Sequence, residues 1–217
     1  MHETDTLSTL ASDLILKYPN AYEKLVVRSE TPSDSLTLLA AAKPDQLLAV
    51  PVKSYVAASA MLCGLWLFHD GLEGCHAIAQ QTPQSLMRPR TKSLELMRLS
   101  DEEMSLSDLT DTLNFWHAIL HRREGDFSNS QYWYGRVAGH PIMQAIGVEV
   151  GNVINPLPAD KSLLRIMHDG WHPNHFVDLV EDVSANPHDA RLPTVVAIQR
   201  IEWRMLFEHC TRLASGQ

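Results

Sequence analysis

The run from Val56 to Phe68 limits what this chain can fold into more than any other stretch. Thirteen consecutive residues carry no charge, and apolar side chains fall on every side of a helix drawn through them. A bilayer needs about 20 such residues. The run is therefore expected to be a helix buried inside a protein core, with Pro51 tolerated just before it. Ala57, Ala58, Ser59, Ala60 and Gly64 are small enough for neighbouring helices to approach closely.

A buried helix needs partners, and the rest of the chain supplies helical patterns. Leu7, Leu10, Ala11, Leu14 and Ile15 form a stripe that Pro19 ends. Ala21 to Val27 and Ser33 to Ala42 read as shorter helices. Ser105 or Ser107 caps a helix running through Leu113, Trp116 and Leu120 to Glu124, stopped by Gly125. Asp126 or Ser128 opens a helix bearing Tyr132, Trp133 and Tyr134, ended by Gly139-His140-Pro141. Ile142 to Val148 fits a helix or a short strand, and Asn155 to Asp160 is a linker. Helices over Ser162 to His168, from His172-Pro173, and from Pro193 to beyond Leu213 complete the chain. No run alternates with period two, so an all-α fold in a single helical domain is expected over residues 1–217. The polar segment 82–107 reads as a long insertion, either a lid or a mobile connection.

The formal charge of −8, with no basic block, argues against nucleic acid and anionic membranes as partners. Cys63, Cys75 and Cys210 are odd in number and far apart, which suits buried thiols in a reducing compartment. The acidic start at Met1-His2-Glu3 lacks signal-peptide order, so a cytoplasmic location is expected.

Eleven histidines are about twice an average share. His69, Glu73 and His76 are spaced i, i+4, i+7, and so are His117, His121 and Glu124. On unbroken helices each trio occupies a sector of roughly 60°. Two such faces turned together would hold a metal ion: His69, His76, His117 and His121 as ligands, with Glu73 as a further one. Imidazoles with one carboxylate suit Zn(II), Fe(II) or Mn(II). Glu124 is then the candidate general base or an acid behind one of the ligands, and Asp70 a group that could orient a ligand imidazole. Arg122 or Arg123 is expected to meet an anionic or polar small substrate, with at least one of the two in a surface ion pair. Tyr132 or Trp133 would face the same pocket, although core packing is the default for such rings.

Other signals are weaker. A di-iron bundle needs two Glu-xx-His motifs and two further glutamates, and only Glu73-xx-His76 exists here. His69-Asp70 matches two ligands of the HD phosphohydrolases, but their upstream histidine and downstream aspartate have no clear counterpart. His172-xx-His175 reads as a helix start with exposed rings. No serine-hydrolase elbow, phosphate loop, dinucleotide fingerprint or Cys-xx-Cys occurs.

The stretch Phe115-Trp116-His117-Ala118-Ile119-Leu120-His121-Arg122-Arg123-Glu124-Gly125-Asp126-Phe127-Ser128-Asn129, with Tyr132-Trp133-Tyr134 behind it, resembles a block of an uncharacterised helical protein family. His69-Asp70-Gly71-Leu72-Glu73-Gly74-Cys75-His76 is similar to a second block of that family. The two blocks stand closer together in the family, which marks segment 82–107 as an insertion. The resemblance implies no activity.

Two functions follow as expectations. One is a metal-dependent enzyme working on a small molecule by hydrolysis or oxygen-dependent oxidation. The other is a non-catalytic binding module whose histidines complete a metal-free polar core. A homo-oligomer is compatible with either.

Overall fold

The structure is a computed structural model that describes residues 6–86, 106–137 and 139–217. It is all-α, and the described residues contain no strand, only an isolated bridge between Leu7 and Leu48. In chain order the helices are α1 (Thr9–Leu16), α2 (Asp34–Ala41), α3 (Tyr55–Phe68), α4 (Leu72–Ala79), α5 (Pro83–Leu86), α6 (Leu106–Glu124), α7 (Phe127–Tyr134), α8 (Met143–Ile154), α9 (Lys161–Arg165), α10 (Pro173–Ser184) and α11 (Leu192–Ser215). No described helix is long and apolar enough to cross a membrane.

Helix α3 is the axis of the fold. Eleven of its fourteen residues are buried, and α1, α2, α4, α6 and α11 all pack on it. It begins four residues after Pro51, because Ser54 accepts the Ala57 amide at 3.0 Å and caps the first turn there. At Gly64 a Cβ would lie 2.9 Å from Trp116 and 3.0 Å from Phe207, so α6 and α11 both press on bare backbone. The Trp203 indole donates to the Gly64 carbonyl at 2.7 Å, tying α11 to the same spot. Small residues on α3 thus do what the sequence suggested.

Four further helix starts fall where side chains cap them: Ser8, Ser33, Asp126 and Asp160 each accept an amide from the first turn that follows. Gly125, at φ +84°, ends α6 as expected. Of the stretch Ile142 to Val148, all but the N-cap Ile142 is helix, within α8.

Residues 21–27 are not a helix. Tyr22 sits at φ +63°, and the carbonyls of this stretch bond elsewhere: Gln199 Nε2 donates to Lys24, and Arg200 to Ala21. Those bonds replace an i to i−4 ladder. Segment 82–107 contributes α5 at one end and the start of α6 at the other, and residues 87–105 lie outside the described residues.

Candidate metal centre

Three imidazoles meet between α4 and α6. His76, His117 and His121 offer ligand atoms that all lie within 4.8 Å of one another. His117 and His121 sit one turn apart on α6, their rings stacked with centroids 4.7 Å apart. His76 comes edge-on from α4, its ring 5.1 Å from His117 and 5.6 Å from His121. Behind them, α7 runs back along α6 from the Gly125 turn, and Ser130 Oγ donates to the Ala118 carbonyl at 2.8 Å. That register lays the Trp133 indole flat on His117, with centroids 3.9 Å apart and planes 19° apart.

His117 is the key residue. Only 3% of its surface is exposed, and neither ring nitrogen has a hydrogen-bond partner. A buried polar group without a partner costs about 1–3 kcal/mol. Burial first, then the neighbouring His121 and His76, push its pKa down to about 3. The ring is therefore neutral across the physiological range, the form in which imidazole binds a metal.

His121 is held on both sides. Its Nδ1 donates to Glu124 Oε2 at 2.8 Å, since a carboxylate can only accept. That leaves Nε2 as a lone pair, which accepts from Asn129 Nδ2 at 3.1 Å. A carboxylate behind a ligand histidine is the usual way its tautomer and orientation are set. Asn129, three residues past the α7 cap, carries no sign of this contact in the sequence. It reaches His121 only because the Gly125 turn folds α7 back on α6.

The donor set fits a divalent ion. Three imidazoles and no carboxylate favour zinc or iron(II), and are poorer for manganese, which prefers oxygen ligands.

The other expected members lie elsewhere, and the cause is a break between α3 and α4. Asp70, at φ +61°, turns the chain, and Gly71 N–H closes that turn on the Trp66 carbonyl at 2.8 Å. His69 and His76 are thus on different helices. His69 Nε2 bonds the Leu14 carbonyl at 2.8 Å and the ring meets Tyr18 edge-on, which ties α1 to the core. Glu73 is exposed and stands outside the histidine group. Asp70 orients no imidazole: it pairs with Arg123 at 2.6 Å and Lys24 at 2.7 Å.

Arg122 and Arg123 are not at the surface. Both are fully buried. Arg122 binds Glu202 at 2.5 Å and the Tyr134 hydroxyl at 2.7 Å, with Phe176 against its guanidinium. Arg123 donates to the Leu67 and Lys24 carbonyls and lies over the Tyr22 ring. Neither can reach a substrate from these positions. Tyr132 is 55% exposed and contacts Trp133 and Arg136, whereas Trp133 itself stacks on His117 and belongs to the site.

No protein-family model, curated protein or solved structure matches this chain.

Proposed function

We propose that His76, His117 and His121 bind one divalent cation, zinc before iron(II), and that the protein is a metal-dependent hydrolase of small polar molecules. The observation that carries this reading is His117, a buried imidazole with both nitrogens unpartnered between two other imidazoles. Such an ion supplies Lewis acidity, lowering the pKa of coordinated water towards 7. The chain's own contribution is to hold the donors. Glu124 fixes the His121 tautomer, Trp133 fixes the plane of His117, and Asn129 must yield the His121 Nε2 lone pair. Three imidazoles leave a coordination position open, and hydrolysis needs only that position and water. Buried, reduced Cys63, Cys75 and Cys210 suit a reducing compartment such as the cytoplasm.

Calorimetric titration of zinc and iron(II) into untagged, metal-free protein tests this. One equivalent should bind, and His117→Ala/His121→Ala should abolish it. At a free metal concentration 100 times Kd the fold should gain about 2.7 kcal/mol. Hydrolysis of an activated ester should then follow metal content. Unchanged thermal stability with zinc, iron(II) and manganese(II) would sink the proposal. It would favour the metal-free polar module, a reading supported by the two hydrogen bonds that already satisfy His121.

A further inference from the structure

The turn of helix beside the three imidazoles encloses a cavity. His76 meets His117 and His121, while Ala79, Gln80 and Gln81, at and just past the end of α4, share this cavity with Leu113 and Asn114, one turn earlier on α6. The two helices are therefore antiparallel here, and the hollow lies about 5.4 Å along the same seam. Its volume is about 230 Å³. The Trp133 ring forms part of its wall, and the same ring stacks on His117.

The chemistry of the lining is one-sided. Among the described residues Arg136 is the only charged one in the lining, and none of them is acidic. Across the whole chain acids outnumber bases, 26 to 18. Arg136 is exposed and makes no ion pair among the described residues. Its described contacts are a 3.2 Å bond to the Tyr132 hydroxyl and cation–π approaches to Tyr132 and Trp133. The carboxamides of Gln80, Gln84 and Asn114 add neutral donors. A guanidinium fork without a carboxylate, beside an aromatic wall, suits a planar anion.

We propose that this cavity binds a small carboxylate with a flat apolar body. The carboxylate pairs with Arg136 and the body lies against Trp133, so its far end points along the seam to the imidazoles. The volume is below the 300 Å³ typical of the smallest ligand sites, which limits the occupant to roughly ten heavy atoms. The link to catalysis rests on the metal reading above, whereas anion capture by Arg136 does not.

Benzoate and its neutral isostere benzamide are the probes, titrated calorimetrically into the metal-free full chain and again after zinc loading. In metal-free protein, benzoate should bind one to one and at least tenfold more tightly than benzamide. Arg136→Gln should erase that preference. Arg136 makes only surface contacts, so an unchanged melting temperature should show the variant is folded. Equal binding of the two probes, or a preference that survives in Arg136→Gln, overturns the proposal even where zinc binds stoichiometrically. A preference lost in Arg136→Gln supports it even where zinc fails to bind, and that failure would count against the metal centre alone.

Discussion

Replacing Glu202 with glutamine removes one charge from a fully enclosed network and leaves its shape intact. The carboxylate accepts from Arg122 at 2.5 Å and from the Tyr134 hydroxyl at 2.7 Å, and no part of the pair reaches solvent. Burial holds the Tyr134 phenol well above its usual pKa, so it stays a neutral donor and offers no second counter-charge. In Glu202→Gln the Arg122 guanidinium would remain enclosed against Phe176 with nothing opposing its charge. Breaking one side of a buried ion pair costs about 3–5 kcal/mol, a large part of the roughly 5–15 kcal/mol that holds a domain together. For a chain of this size that is a fall in Tm of about 6–20 °C. Urea unfolding followed by circular dichroism should show a lower midpoint with an unchanged slope. The triple variant Arg122→Met/Glu202→Leu/Tyr134→Phe takes away all three polar partners together, and it should lose less than Glu202→Gln alone. A loss under about 1 kcal/mol for Glu202→Gln would refute the argument, as would a triple variant less stable than the single one.

The remaining predictions concern the imidazoles and the axis helix. His117 and His140 both have pKa values pushed down to about 3, chiefly by burial, against an unfolded value near 6.5. Between those limits the unfolded chain binds more protons, so stability rises with pH by up to about 1.4 kcal/mol per unit for each histidine. Urea midpoints of metal-free protein at pH 4.5 and about 6.5 would read this, and a flat profile would contradict it. Glu124→Gln should weaken zinc binding about 10- to 100-fold by releasing His121 Nδ1, while the melting temperature of the metal-free protein changes little. Gly64→Ala should destabilise by about 1–3 kcal/mol, because the new methyl collides with Trp116 and Phe207; a neutral or stabilising result in thermal melts would show that α6 and α11 have slack.

The sequence was most legible where the cause is local. Serine and aspartate caps, the glycine stop at 125 and the uncharged run of α3 act within a few residues, and each sits near its expected position. The pairing of His117 with His121 was equally visible, since one unbroken helix carries both. The first trio failed because its spacing presumed a helix through Asp70. Gly71 and Gly74 fall inside that trio, and the reason for them is tertiary: a Cβ at Gly74 would lie 2.2 Å from the Trp66 ring, so the chain turns under that indole. At about 100° per residue, helical spacing puts Arg122 and Arg123 on faces away from His117 and His121. It could not say that Glu202, eighty residues away, waits opposite one of them. Asn129 and Arg136 were hidden for the same reason, since both act through a fold-back that no short-range pattern encodes.

The two adjacent arginines also govern how the cluster can move. Arg122 anchors α6 to α11, and Arg123 fastens the same helix end to the tip of α3 and the loop at Lys24. Clamped from two directions, this shaft resists rolling, which favours a constant heading for His117 and His121. Two imidazoles on one tetrahedral ion stand roughly 3.4 Å apart, given bonds of about 2.0–2.1 Å. The three ligand atoms now lie within 4.8 Å of one another, so an ion must draw the rings together, and the approach of His76 falls to the α4 side. Whatever stiffens or loosens the short arm between Asp70 and Gln80 should tune affinity for the ion without touching a single ligand.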